Sequence, residues 1–510
     1  MILVLNFGSQ FAHLIARRIR DLGVHSEIVN FDISAEELLS YKPKGLIFSG
    51  GPQSVLDAGS ARAHSNLLTL GIPILGICYG MQLIAQSLNG KVVATNNSEY
   101  GKEILSINKE DEIFASCEQK EIVWFSHNDQ VTKLPPGFIR LASTNGCEFA
   151  AIANPEKRIY GLQFHPEVSH TENGEKILAN FIFNICQAKK DWQISSLKEN
   201  ILEQISSIEP DAHVLIAVSG GVDSLVVADL VFTAIGERAH AVLIDNGLLR
   251  KDEAKQVLES LSEVGINWLK VYDASEIFLR RLQGVSDPEE KRKIIGHTFI
   301  EVFEDYVDKN LRQFPIKYLA QGTIYPDRIE SAQASDTAEV IKSHHNLSLP
   351  EDMELDVLEP IQDLYKDEVR ELGLSLGLSK KLLFRHPFPG PGLAIRVVGK
   401  ITKERIKLLQ EVDALYIEEL QKRGLYQNIW QAFAALLPVR TVGVMGDSRS
   451  YDYMVSLRAV NSVDGMTADW YSFDAKDLAE ISNRIINEVD GVNRVVYDIT
   501  QKPPGTIEYE

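Results

Sequence analysis

Val214-Leu215-Ile216-Ala217-Val218-Ser219-Gly220-Gly221-Val222-Asp223-Ser224 is an apolar run broken by a Ser-Gly-Gly turn, after which an apolar helical pattern continues over 225–235. A short buried strand that passes through glycines into a helix is the repeating unit of an α/β sheet with parallel strands. The pattern recurs downstream, with strands expected at 239–245, 268–272 and 318–320 and helices at 252–264 and 289–310.

A second series of the same kind occupies the first 188 residues. Apolar runs at 2–5, 24–29, 45–48 and 72–77 predict buried strands, and helical patterns fall at 15–22, 34–39, 81–88 and 176–186. Ser34 followed three residues later by Glu37 marks a helix start, where the two side chains can satisfy free backbone N–H groups. Segment 189–210 is charged and polar and reads as a connector. Over 385–392, Arg-His-Pro-Phe-Pro-Gly-Pro-Gly, the prolines lack N–H donors and clash with a preceding turn, so no helix continues. The fold class is α/β: two successive, mostly parallel α/β domains at 1–188 and 189–385, and a smaller α+β domain at 386–510. A length of 510 residues agrees with that count at roughly 150 residues per domain.

Lys and Arg number 52 against 71 Asp and Glu, a net charge of −19, so nucleic acid is repelled outside a local basic patch and is not an expected partner. The N-terminus reads straight into a strand without a basic leader, and no apolar run reaches the ~20 residues of a membrane span. A cytoplasmic protein with no membrane partner is expected. Four cysteines, Cys78, Cys117, Cys147 and Cys186, are too few for a disulfide framework and lack metal-type spacing. Chemistry beyond residue 186 must proceed without a thiol.

Gly76-Ile77-Cys78-Tyr79-Gly80 joins the strand at 72–77 to the helix at 81–88. A thiol at a helix N-terminus faces the positive end of the dipole, which favours the nucleophilic thiolate. The flanking glycines permit a strained turn and close substrate approach. His165-Pro166-Glu167 supplies the other two groups. Residues two apart in extended chain share a side, so the imidazole can move protons while the carboxylate orients it. The Gly50-Gly51-Pro52 turn, through Gly51, together with the Tyr79 N–H, supplies a candidate oxyanion hole. A lone cysteine is more often a packed core thiol; the elbow glycines, the diglycine turn and the His-Pro-Glu triplet together outweigh that reading for Cys78. Cys117, Cys147 and Cys186 lack such surroundings.

In Ser219, Gly220, Gly221, Val222, Asp223 and Ser224 the glycines free backbone N–H groups, two hydroxyls stand beside them, and a helix dipole points in, which makes an anion cradle. The chain has no Gly-x-x-x-x-Gly-Lys-Ser/Thr string, so transfer of a γ-phosphate is unsupported and cleavage at the α-phosphate is expected.

These residues carry a resemblance. Residues 1–188 resemble a class I glutamine amidotransferase domain of flavodoxin-like fold, through Phe7-Gly8-Ser9-Gln10, Gly50-Gly51-Pro52, the Cys78 elbow with Gln82, and Gln163-Phe164-His165-Pro166-Glu167. That implies attack of Cys78 on the glutamine side-chain amide, a glutamine contact at Gln82, release of ammonia and hydrolysis of a glutamyl thioester. Asn6 stands where Asp is usual, and Asn128 in Ser126-His127-Asn128-Asp129 where Gly is usual; asparagine tolerates positive φ better than most residues. The 219–224 string is similar to the pyrophosphate loop of the N-type ATP pyrophosphatases, of adenine-nucleotide-hydrolase-like fold. It implies ATP held by 219–224, Leu225 and Asp245, with Mg2+ at Asp245.

Relatives of that type that thiolate tRNA need reactive cysteines, and this half has none, so use of ammonia remains. The whole order resembles the glutamine-hydrolysing GMP synthases. Further strings at 244–250, 291–296, 321–327, 385–396 and 502–508 carry the match. The resemblance implies glutamine, XMP and ATP as substrates, a homodimer through the C-terminal domain, and XMP contacts at Arg292, Lys502, Thr506, Ile507 and Glu508. Read blandly, Arg292 is a solvated helix charge and Lys502 a tail charge. His344-His345-Asn346-Leu347-Ser348-Leu349-Pro350 lacks a diglycine common after His-His-Asn in bacterial relatives, and its histidines read as loop or substrate contacts rather than metal ligands. Amination of another acid or carbonyl compound, and a sensor that binds without turnover, are the rival readings.

Overall fold

The computed structural model describes residues 1–9, 11–168, 170–328, 355–445, 448–462 and 467–510, which fall into two compact units, 1–197 and 198–510. Gln10 and the 344–350 segment lie outside the described residues.

In the first unit the strands β1 (Ile2–Asn6), β2 (Ser26–Asn30), β3 (Gly45–Phe48), β4 (Ile74–Ile77), β5 (Lys91–Ile107), β6 (Lys120–Lys133), β7 (Ile139–Ser143), β8 (Ala151–Asn154) and β9 (Ile159–Leu162) form one sheet. Its order is β2-β1-β3-β4-β9-β8-β7-β5-β6. Neighbours from β2 across to β9 are parallel, and those from β9 to β6 are antiparallel. Every residue of β1, β3 and β4 is buried, because both faces of the parallel half are covered; hence their unbroken apolar runs. β6 instead alternates buried with exposed or half-buried residues along most of its length, the mark of a strand with one wet face. Ser34 caps the helix Ala35–Ser40 by accepting from Glu37 N at 3.1 Å. The helical pattern at 176–186 becomes an α-helix, Gly174–Ala179, continued by a wider π-type segment, Asn180–Ile185.

The second unit holds β10 (His213–Val218), β11 (Ala239–Asp245), β12 (Leu269–Asp273), β13 (Ile316–Ala320) and β14 (Asp356–Leu358), ordered β12-β11-β10-β13-β14 and parallel throughout. The order reverses at β10, so the loops after β10 and β13 flank the crevice where ligands bind in open α/β sheets. Beyond it, β15 (Gln431–Met445) and β16 (Ser448–Asn461) pair as a long hairpin, joined by β17 (Asp469–Trp470) and β18 (Val492–Tyr497). One continuous core runs from Leu215, Val242 and Phe278 through Leu393 and Val397 to Leu409, Leu457 and Ile485. The proline-rich stretch at 385–392 is pinned within this unit: Leu393 N donates to Leu248 O at 2.8 Å. Gly392, at φ 62°, leaves no room for a Cβ beside that carbonyl. Among the described residues no helix is long and apolar enough to cross a membrane.

Candidate active sites

Cys78 directly follows β4 and caps the helix Tyr79–Ser87 with φ 52° and ψ −107°, a strained backbone for any residue but glycine. Its surroundings hold the strain. Cys78 N donates to Leu162 O at 2.7 Å. A Cβ on Gly76 would stand 2.6 Å from the Gly80 backbone, and one on Gly80 would strike the Phe48 carbonyl. The sulfur lies 3.7 Å from Ser126 O and 3.7 Å from Gln163 Nε2.

His165 is buried just past β9, its Nδ1 2.7 Å from Glu167 Oε1, with Cys78 as its other electrostatic neighbour. Burial alone would lower the imidazole pKa; the Glu167 carboxylate and the Cys78 contact outweigh it and raise the value well above the ordinary one. The pair is adjacent for a different reason from extended-strand alternation. Pro166 and Glu167 lie in a turn, held by Thr171 Oγ1 donating to His165 O at 2.6 Å and Arg18 Nε donating to Glu167 O at 3.2 Å.

The diglycine turn borders this pair. A Cβ on Gly50 would lie 3.4 Å from His165 Cε1, and one on Gly51 would lie 2.9 Å from Phe7 O and 3.2 Å from the Tyr79 ring. Gly51 and Tyr79, expected to act together, are thus neighbours. Gln82 is buried, and its Nε2 donates to Asp129 O at 2.7 Å and to Gln163 Oε1 at 3.3 Å. Asn6 does an aspartate's work in the turn by accepting from Gly8 N at 2.9 Å. Asn128 lies within β6 and accepts from the Tyr100 hydroxyl at 2.8 Å. Burial raises the pKa of the Cys117 and Cys186 thiols, which disfavours their reactive form.

In the second unit Gly220 adopts φ 79° and Gly221 caps the helix Val222–Ile235. The two serines brace the loop: their hydroxyls are 3.1 Å apart, Ser219 Oγ accepts from Gly221 N at 3.3 Å, and Ser224 Oγ donates to Gly221 O at 3.1 Å. Leu225 N bonds Gly221 O at 3.2 Å, closing the first turn. Gly322 packs on the same loop, since a Cβ there would stand 3.0 Å from Ser224 N. Two cations missed from sequence border it. Lys366 Nζ lies 2.5 Å from Asp223 Oδ2, and Arg385 donates to Gly220 O at 3.4 Å while pairing with Glu253. Both are far from the loop in sequence, so no local pattern points to them.

Asp245 ends β11, its Oδ1 accepting from Gly247 N at 2.9 Å. Burial, with Asp273 and Glu253 nearby, raises its carboxyl pKa. It lines a cavity of about 620 Å³ with Glu253, Asp273, Lys251, Lys403 and Gln410.

Lys502, Thr506, Ile507 and Glu508 lie on one docked segment. Lys502 exchanges backbone bonds of 2.8 and 3.0 Å with Ala468. Ile507 packs with Phe433, Ala435 and Val460. Thr506 Oγ1 donates to Glu508 O at 2.6 Å. Glu508 accepts from Arg396 at 2.8 and 2.9 Å and from Gln431 Nε2 at 2.8 Å. Arg292 pairs with Glu289 one turn back and is partly exposed. Its neighbour Lys291 is wholly buried and reaches Ala394 O, Val397 O and the Glu510 carboxylate. Adjacent cations in a string give no sign of which one faces inward.

Residues 3–185 match the model of the glutamine amidotransferase class-I family, and residues 418–509 that of the GMP synthase C terminal domain. The chain is 53% identical over 510 residues to the glutamine-hydrolyzing GMP synthase of Aquifex aeolicus, covering 100% of this chain and 99% of that protein. It is 51% identical over 511 residues to the enzyme of the same name from Brachyspira hyodysenteriae, with the same coverage. The Bdellovibrio bacteriovorus protein of that name is 51% identical over 510 residues, covering 99% of each chain.

Proposed function

We infer that this chain, which belongs to the glutamine-hydrolysing GMP synthases, couples two reactions in one polypeptide. It aminates XMP to GMP through an adenylated XMP, using ATP and ammonia from glutamine and releasing AMP, pyrophosphate and glutamate. The observation that carries this is an elbow thiol with a buried imidazole–carboxylate pair, joined in one chain to a Ser-Gly-Gly loop at a sheet switch point.

The Cys78 sulfur attacks the glutamine amide carbon, and charge gathers on the oxygen beside the N–H groups of Gly51 and Tyr79. Protonated His165 delivers its proton to the departing nitrogen, the C–N bond breaks and ammonia leaves. Water then attacks the thioester carbon, His165 takes its proton, and the C–S pair returns to sulfur as glutamate departs. Gln82 is assigned to the glutamine subsite. In the second reaction the XMP oxygen attacks the ATP α-phosphorus, and the N–H groups at the start of the helix, Val222 to Ser224, hold charge on the departing pyrophosphate. Ammonia then displaces AMP.

Mg2+ suits the carboxylate oxygens here. Asp223 Oδ1 is buried without a hydrogen-bond partner, Asp245 is crowded by Asp273 and Glu253, and Mg2+ binds through one or two carboxylates plus substrate phosphates. Asp245 would hold it, and the bound ion would offset phosphate repulsion. Arg292, Lys502, Thr506, Ile507 and Glu508 are assigned to XMP. Residues 1–188 are assigned to glutamine hydrolysis, 189–385 to ATP, and 386–510 to XMP and self-association as a cytoplasmic homodimer. Val442, Val444 and Tyr451, 59%, 76% and 62% exposed on the β15–β16 hairpin, support a surface of that kind.

The test follows AMP, pyrophosphate, glutamate and GMP together while each substrate is omitted in turn. Equal yields of the four with all substrates present are expected. ADP and orthophosphate as the nucleotide products would overturn the reading.

A further inference from the structure

Gln163 is wholly buried just past β9, with its side chain against the reacting sulfur. The direction of its amide is set by a chain of bonds. The Asp129 carbonyl can only accept, so Gln82 must turn its NH2 toward it, at 2.7 Å. The second hydrogen of that NH2 meets Gln163 Oε1 at 3.3 Å. The Gln163 amide is thereby held with its oxygen on Gln82 and its NH2 on Cys78 Sγ, 3.7 Å away. Ser126 O, also 3.7 Å from the sulfur, accepts an S–H but opposes a bare thiolate. Only Gln163 and His165 offer the sulfur a donor among the contacts described.

We propose that Gln163 is a further catalytic residue of the glutaminase half-reaction, its N–H holding the Cys78 sulfur as thiolate before attack and meeting it again as the thioester collapses. A thioester sulfur is a poor acceptor and a thiolate a strong one. The bond therefore strengthens as the C–S electron pair returns to sulfur, while the water oxygen joins the carbonyl carbon and its proton passes to His165. Gln82 then acts through Gln163 as a positioning residue. This rests on Cys78 being the nucleophile.

In the full chain, Gln163→Leu removes the donor, and Gln163→Met removes it with nearly the same length and no added charge, its thioether a weak acceptor toward Gln82. The rate at which iodoacetamide alkylates Cys78, followed by mass spectrometry across pH, is the primary readout, because it involves no glutamine. Alkylation near neutral pH should slow about 10-fold or more in both variants, and less in Gln82→Leu. Glutaminase kcat should fall about 10- to 100-fold, while GMP formation from ammonium salts is kept. Should Gln163→Leu lose its near-ultraviolet circular dichroism, Gln163→Met decides alone. An unchanged alkylation profile in a folded Gln163→Met variant overturns the proposal. Glutaminase activity surviving in Cys78→Ala would instead overturn the assignment of the nucleophile.

Discussion

His165 Nδ1 and Glu167 Oε1 are 2.7 Å apart, with the imidazole 4% and the carboxylate 0% exposed. A cation held by an anion with almost no water nearby is strongly coupled to it, and the coupling is visible in pH dependence. The His165 pKa is raised in the fold above the ordinary ~6.5. The stability it contributes is therefore fully present below about pH 6.5 and is lost as pH rises through the folded value. Glu167→Gln should cost the first unit on the order of 1.5 to 3 kcal/mol at pH 6 and clearly less at alkaline pH. Urea unfolding at the two pH values checks this; equal losses at both would mean the carboxylate contributes packing only.

Cys78→Ala should lower glutamine-dependent GMP formation by ~10³ or more, as for other removed nucleophiles, and leave synthesis from ammonium salts intact. The backbone adds a second outcome. At φ 52° alanine keeps the strain that glycine relieves, so Cys78→Gly should be more stable than Cys78→Ala by roughly 1 to 2 kcal/mol. Thermal unfolding of the pair measures it.

Asp223→Ala should abolish synthesis with either nitrogen source, because the residue stands in the loop assigned to ATP. It would also leave Lys366 without its 2.5 Å partner. Glutaminase activity measured without XMP should be unchanged. Retention of ammonium-dependent synthesis would remove Asp223 from the ATP site.

The strand–elbow–helix units were legible because period and glycine placement are local. The expected strand at 239–245 is β11, Ala239–Asp245, and Gly76, Cys78 and Gly80 meet the steric demands of their turn. What stayed hidden is what the chain brings together from afar. Lys366 and Arg385 reach the 219–224 loop from well over a hundred residues away. Neighbouring cations were also indistinguishable, and burial fell on Lys291 rather than Arg292. The outer strands β5 and β6 carry no comparable local signal, since a long hairpin with one wet face has few continuous apolar runs.

The tail at 502–510 shows why truncation is a poor test of XMP binding. Removing it would strip the carboxylates from Lys291 and Arg396, whose side chains are both 0% exposed. An uncompensated buried charge costs about 3 to 5 kcal/mol, so the truncated chain should lose its second unit before it loses a ligand. Glu508→Gln separates the two effects. Weakening the bidentate bond to Arg396 should lower the melting temperature of the second unit without XMP. If the Glu508 carboxylate also contacts XMP, as proposed, the further rise in melting temperature on adding XMP should shrink relative to the parent chain, because that rise reports affinity for the folded state alone. A lower starting temperature with an undiminished XMP-induced rise would leave Glu508 as the partner of Arg396 only and remove it from the XMP site.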